Sequence, residues 1–461
     1  MSENNADIGT LSVLENVGDF IGRARDLSQP EITQIGSDSL LLVWQEIRPS
    51  SPFFVRDPIV NIQGSLFTKN GELNGVFEIG ESEEGGQQFS PTITELGDDR
   101  FVVAWNSFQG IKGEVISNEG RQIGTFTSQG TENIQQSDAT ITDLSGGGFV
   151  VAWEDSQDPR VIQGEVFTSE GSSSGSFTVR DADGDASQVT PTITDLSNGH
   201  FVVAWQETHS NIQYPSVIKG QIFKSDGSST GSFTVHDAGD VRQLDPTITQ
   251  VGQDRFAVAW TDFQDSPVIQ GEVFTSDGES VASFTPSGAG DSRQVDPTIT
   301  QLGQDHFVLA WQEGQFSAEQ PQEIKGEIFT KGGNSINSFT VRNPEDNQQG
   351  NPTLTQIGQD GFAVAWQNGA GGIQGEILNL DDSTNAAPSA SSDSRSTTPS
   401  EVITIDVLAN DSDPDGDDLT IQDVGAPANG QAEITDDGRI VFTPDADFTG
   451  TDSFTHTVSD G

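Results

Sequence analysis

One five-residue stretch constrains this chain more than any other feature: FVVAW, at 101–105. It returns at 149–153, 201–205, 256–260, 307–311 and 362–366, and a looser copy, LLLVW, ends at Trp44. All 7 tryptophans occupy this place, at intervals of 61, 48, 52, 55, 51 and 55 residues. A period of about 50 residues carried by short strands marks a repeat architecture, propellers included. Each repeat reads as four strands. In the fifth these are DPTITQVG (245–252), RFAVAW (255–260), VIQGEVFTSDG (268–278) and ASFTPSG (282–288). The second strand is a nearly unbroken apolar run, so both of its faces must be covered. A sheet packed between two neighbouring sheets, as in a propeller blade, meets that demand.

The third strand repeats as clearly, with IQG or IKG beginning at Ile62, Ile111, Ile162, Ile218, Ile269, Ile324 and Ile373. A glycine inside a strand implies close backbone approach or a bulge, either of which narrow spacing between blades would require. The seventh repeat stops after its third strand. Ahead of the first repeat, 18–36 aligns with 231–251, which makes Asp19 to Arg23 an orphan fourth strand that completes the seventh blade and leaves no free sheet edge. The expected fold is therefore all-β: a tail over 1–17, then a seven-bladed β-propeller over 18–380 closed by an N-terminal strand.

Lys plus Arg number 20 against 71 Asp plus Glu, a net charge of −51. A field of that sign repels nucleic acid and anionic membrane surfaces. No stretch approaches the roughly 20 apolar residues that span a bilayer, so neither nucleic acid nor membrane insertion is expected. The chain has no cysteine, which points away from a eukaryotic secreted protein and towards a bacterial one. No basic start followed by an apolar run marks a signal peptide at the N-terminus. The connections after the second strands vary most, at 48–58, 208–216 and 314–322. Variable loops on one side of a rigid scaffold are where binding usually lives, with Phe53, Phe54 and Tyr214 as aromatic candidates. Gln88, Gln136, Gln188, Gln243, Gln294 and Gln349 recur just before the first strands. They are placed around the central channel, to hydrogen-bond loop backbone or, alternatively, to form a polar ligand ring.

After Leu380 the composition changes. Residues 381–400 read as a Ser/Thr/Pro linker and leading strand, and 401–461 as a small β-sandwich in which Ile403, Ile405 and Val407, and Phe454, His456 and Val458, alternate. Between them lies a dense set of hard oxygen donors: Asn410, Asp411, Asp413, Asp415, Asp417 and Asp418, with Gly416 allowing a sharp turn. Calcium takes 6–8 such ligands in adaptable geometry, whereas a solvated acidic loop is the alternative. Asp181, Asp183 and Asp185 form a shorter calcium candidate.

NAAPSASSD, ITIDVLANDSDPDGDDLTI and FTPDADFTGTDSFTHTVSDG together resemble the tandem cadherin-like repeats of large bacterial surface and secreted proteins, over 385–461. The resemblance implies that Asn410, Asp411, Asp413, Asp415 and Asp417, with Asp393 and Asp460, bind calcium and stiffen a chain of domains. It also implies an extracellular location and one more strand after VSDG, so the cadherin-like (Ig-like) sandwich reads as truncated. The FVVAW repeats resemble, more loosely, repeats found beside such domains in calcium-dependent secreted bacterial proteins.

No catalytic constellation stands out. The five histidines, His200, His209, His236, His306 and His456, fall at unrelated repeat positions, and no nucleophile elbow or phosphate loop is present. The reading is a non-catalytic, adhesin-type, calcium-binding protein of the bacterial cell surface, whose propeller binds a glycan or a surface protein. The alternatives are a polysaccharide-active propeller enzyme and a structural spacer. Carboxylates of raised pKa grouped on the variable face would favour the enzyme.

Overall fold

In the computed structural model the chain divides into two compact units, Met1–Leu380 and Asp381–Gly461. The structure describes all residues except 1–8, 15–25, 38, 49–58, 81–86, 98–99, 130–134, 180–185, 210–214, 236–240, 264–265, 288–291, 315–321, 342–347, 370, 380–387, 399, 413–418, 436–437 and 460–461. Among the described residues strands dominate, and no helix is long and apolar enough to cross a membrane.

The described residues of the N-terminal unit form seven four-stranded antiparallel sheets. In the fifth, Arg242–Val251, Arg255–Phe263, Val268–Thr275 and Ser280–Phe284 pair in chain order. The other sheets repeat this order, except that the seventh takes its edge strand from the N-terminus, where Gly9–Leu14 pairs with Ile373–Asn379. That strand lies in the stretch expected to be a tail, while Asp19 to Arg23, aligned to this role, fall outside the described residues.

Each first strand neighbours the first strand of the next sheet, and that of the seventh neighbours that of the first. Apolar clusters fill every junction, including the one that joins Leu42, Trp44 and Phe67 to Ala365, Ile373 and Ile377. The seven second-strand stretches are consequently buried on both faces, with no residue more than 5% exposed. The unit is β-propeller-like.

The third-strand glycines have a different cause from the one expected. An ideal Cβ on Gly64, Gly113, Gly164, Gly220, Gly271 or Gly326 would lie 2.0 to 2.9 Å from the ring of Phe77, Phe126, Phe177, Phe233, Phe284 or Phe339, respectively. Each phenylalanine sits opposite its glycine on the fourth strand of the same sheet, as Phe284 does opposite Gly271. The close approach is thus within a sheet, and it turns the ring towards the next one. There Phe284 meets Phe307 and Phe329 at centroid distances of 4.9 and 5.0 Å, and those two stack on each other at 5.3 Å, within the range of favourable aromatic pairs.

In the C-terminal unit Ile403–Ile405, Ile440–Pro444 and Gly430–Ile434 form one sheet, and Thr420–Val424 pairs with His456–Ser459 in a second. Ile405, Val407, Ile440 and Phe442 make the core, with Ile403 and Phe454 packed against it. The expected alternation therefore locates the core, although the last strand starts at His456, two residues after Phe454.

Candidate functional site

The first strands begin with an irregularity that recurs seven times. A register shift interrupts pairing with the second strand in every sheet, and one residue of each bulge has a left-handed backbone: Gln29, Ser90, Asp138, Thr190, Asp245, Asp296 and Asn351, with φ between 48° and 52°. Such a conformation is uncommon outside glycine and costs of order 1 kcal/mol or more per residue. All seven are polar, and they stand at the end of the first-strand array where the variable connections meet. Adjacent members communicate: the Ser90 N–H donates to Gln29 Oε1 at 3.1 Å. Burial, then the charge of Asp296, pushes the Asp245 carboxyl above its ordinary pKa, and burial does the same to Asp296 against the pull of Arg293. Two neighbouring carboxyls of raised pKa thus occupy this rim.

Two residues further along lies Glu31, where the other six first strands carry Thr92, Thr140, Thr192, Thr247, Thr298 and Thr353. It is half-buried at the junction of the first and seventh sheets, and burial lifts its pKa from 4.5 to about 7, opposed by a hydrogen bond from Thr353 Oγ1 at 3.4 Å. At the far end of the strands stand Glu95, Asp143 and Asp195. Burial first, then the charges of Asp195 and Glu95, raise Asp143 to about 6. Glu95 accepts from Gly36 N–H at 2.6 Å and Asp195 from Ser197 N–H at 2.8 Å.

The six glutamines hold the sheets together. Each side-chain oxygen accepts the N–H of the third-strand isoleucine in the preceding sheet: Gln88 from Ile62, Gln136 from Ile111, Gln188 from Ile162, Gln243 from Ile218, Gln294 from Ile269 and Gln349 from Ile324, at 2.9 to 3.2 Å. All six are buried, so they serve strand backbone and make no ligand ring. Other buried acids are similarly engaged. Glu165 accepts from Gln129 N–H at 3.1 Å and Glu327 from Ser287 N–H at 2.7 Å, each across a junction. Asp155, Asp262 and Glu313 each accept the indole N–H of the tryptophan two residues before, at 3.0, 2.7 and 3.1 Å. None of these roles was read from the sequence; the recurring W-x-[DE] and G-E spacings carry the signal. His200 Nδ1 contacts Asn198 Oδ1 at 3.0 Å at the turn before its strand.

A pocket of about 210 Å³ opens between the second and third sheets, lined by Phe89, Asn106, Ser107, Phe108, Gln135, Gln136 and Ser137. Phe108 is 72% exposed and meets Phe89 edge to face at 6.0 Å. Asn106 Oδ1 is buried without a hydrogen-bond partner. The pocket lies on the side of the variable connections. The expected aromatic candidates there, Phe53, Phe54 and Tyr214, lie outside the described residues, as do Asp181, Asp183 and Asp185.

In the C-terminal unit the segment 391–393, which contains Asp393, contacts two of the other expected calcium ligands. The Ser391 N–H donates to Asp411 Oδ1 at 2.6 Å, and Asn410 Nδ2 to Ser392 O at 3.3 Å. Asp411 Oδ2 lies 3.1 Å from His456 Nε2. Asp393 Oδ2 is buried and has no hydrogen-bond partner, a free hard oxygen of the kind calcium takes. Asp413, Asp415, Asp417 and Asp460 lie outside the described residues. Among the described residues no three His, Cys, Asp or Glu side chains come together as a metal site.

Residues 385–461 match the bacterial Ig domain family. The chain matches no curated protein sequence. Among solved structures it is similar to a lectin from Burkholderia pseudomallei, with a TM-score of 0.54 and 9% identity over 77% of this chain and 97% of the lectin. It is also similar to a protein of unknown function from Dyadobacter fermentans, with a TM-score of 0.48 and 11% identity over 78% of this chain and 96% of the other. A third is the α-L-arabinanase of Penicillium chrysogenum solved with arabinobiose, with a TM-score of 0.44 and 10% identity over 63% and 93%. At these identities the likeness concerns the fold. A bacterial Ig domain is typical of surface and extracellular proteins.

Proposed function

We propose that this is an extracellular, adhesin-type protein of a bacterial surface. Its N-terminal unit is a seven-bladed propeller, completed by the N-terminal strand, that binds a glycan on the side of the variable connections. Its Ig-like unit is part of a calcium-stiffened, cadherin-like stalk. The observation that carries the reading is the rim of seven polar residues, Gln29 to Asn351, presented by a backbone held in an unfavourable conformation at every repeat. Strain of this kind persists where the surroundings over-determine it and clusters at ligand sites. The fold shared with a lectin agrees with a glycan as the ligand. A glycan array probed with residues 1–380 in millimolar calcium is expected to give specific hits. A blank array overturns the glycan reading and leaves a protein partner.

A second reading, a polysaccharide-active enzyme, draws on Asp245 and Asp296, adjacent rim carboxyls whose pKa values are both raised. Paired carboxyls of unequal proton affinity perform glycoside hydrolysis. Incubating the array's hits with the protein separates the two: released reducing ends favour the enzyme, and unchanged glycan favours binding.

For the stalk, Asn410, Asp411, Asp413, Asp415 and Asp417, with Asp393 and Asp460, would hold the ion. In scanning calorimetry of the whole chain, replacing chelator by millimolar calcium is expected to raise the melting temperature of the Ig-like unit, because a ligand bound only by the folded form stabilises it. An unmoved transition refutes the assignment.

A further inference from the structure

We propose that the pocket between the second and third sheets is a subsite for one neutral sugar ring. The inference rests on the glycan reading above and names the residues that would make the contact. Comparison across the seven repeats shows how the pocket arises. At the position after tryptophan the repeats carry Gln45, Asn106, Glu154, Gln206, Thr261, Gln312 and Gln367. Several of the longer side chains reach partners: Glu154 pairs with Arg160 at 2.7 Å, Gln312 Nε2 donates to Gln322 Oε1 at 2.7 Å, and Gln367 Oε1 accepts from Asn351 Nδ2 at 3.0 Å. Asn106 is one methylene shorter than glutamine, and its Oδ1 is left buried and unpaired. A buried acceptor without a donor is unfavourable; a turn of the Asn106 side chain into the pocket would let a ligand hydroxyl supply the missing proton.

The pairing of two aromatic residues is equally particular to this sheet. Phe89 stands where the other repeats have Ser28, Ser137, Val189, Leu244, Val295 and Gly350. Phe108, three residues after its tryptophan, has an aromatic counterpart only in Phe263 of the fifth repeat, so that WNSFQ is echoed by WTDFQ. Phe89 braces the edge-to-face pair while Phe108 stays 72% exposed. Its open face is suited to the apolar C–H face of a sugar, much as aromatic residues with open faces anchor other binding sites. The volume, about 210 Å³, falls below the roughly 300–1,000 Å³ of pockets for drug-sized ligands, which limits the occupant to a single ring. Asp138 follows the lining residue Ser137, whose Oγ donates to its carboxylate at 3.4 Å. In a chain of net charge −51 that neighbour disfavours uronic and sialic acids.

Saturation-transfer NMR on the full chain, with methyl glycosides of neutral hexoses and pentoses and with glucuronate, tests the assignment. At least one neutral glycoside is expected to bind at millimolar concentration and glucuronate not to bind. Phe108→Ala, at an exposed position, should leave the melting temperature unchanged and weaken that binding roughly tenfold or more. Asn106→Gln, which fills the pocket, should weaken it as well, and Phe263→Ala should not. Glycans that bind the wild type and Phe108→Ala equally well overturn this subsite while leaving the glycan reading intact. Glucuronate binding as tightly as the neutral sugars overturns the ligand class. A wild type that binds no glycan by array or NMR ends both proposals.

Discussion

Replacing Gly271 with alanine is expected to lower the melting temperature of the N-terminal unit by several degrees. The added methyl carbon would stand 2.0 Å from the Phe284 ring, and that ring is wedged against Phe307 and Phe329 in the next sheet. Overpacking of this kind costs roughly 1–3 kcal/mol, and more where the obstructing group cannot move. Two controls identify the cause. Gly75→Ala, at a strand position with nothing within 4 Å of the new carbon, should be neutral or mildly stabilising. The double variant Gly271→Ala/Phe284→Ala should be no less stable than Phe284→Ala alone, because the collision is then gone. A Gly271→Ala protein that melts with the wild type would show that the ring does not require the glycine.

Glu31→Thr, which restores the residue of the other six repeats, is expected to stabilise the unit in a pH-dependent way. The folded state holds the Glu31 proton up to about pH 7, against 4.5 for an ordinary glutamate. A raised carboxyl pKa contributes stability that is complete below pH 4.5 and is lost as pH climbs through about 7. The difference corresponds to roughly 1–3 kcal/mol, after allowance for water reaching a half-buried side chain. The gain in melting temperature from Glu31→Thr should therefore be small near pH 4, widen between pH 4.5 and 7, and level off above that. A gain of constant size across the range would place the effect in packing and not in the proton.

The sequence announces its sheets because the second strand must be apolar on both faces, and a tryptophan marks each copy. Its glycines were legible as close approaches, but the partner was not. Phe284 and Gly271 are thirteen residues apart in the chain, and only the cross-strand register brings them face to face. The edge strand of the seventh sheet is found at 9–14, whereas alignment with a fourth strand elsewhere points to 19–23, outside the described residues; one short edge strand leaves little pattern to distinguish the two. The six glutamines were found as a repeat and given the backbone role as one of two choices; burial against Ile62 and its equivalents decides between them. The pocket went unread for another reason. Loop length points to the longest connections as the binding face, whereas Phe108 sits in one of the shortest, and its interest lies in side-chain identity next to a strand ending that recurs in every repeat.

The bulges at the head of the first strands separate two things that most binding surfaces confound. Backbone shape there is the same at all seven places, within 4° of φ, while the side chain is Gln, Ser, Asp, Thr, Asp, Asp or Asn. Because the irregular turn is set by the pairing on either side of it, the identity of the residue it displays is free to drift. The rim behaves as a set of interchangeable sockets. A lineage could rewrite its charge and hydrogen-bonding pattern one repeat at a time, acquiring or discarding ligands without renegotiating the scaffold beneath.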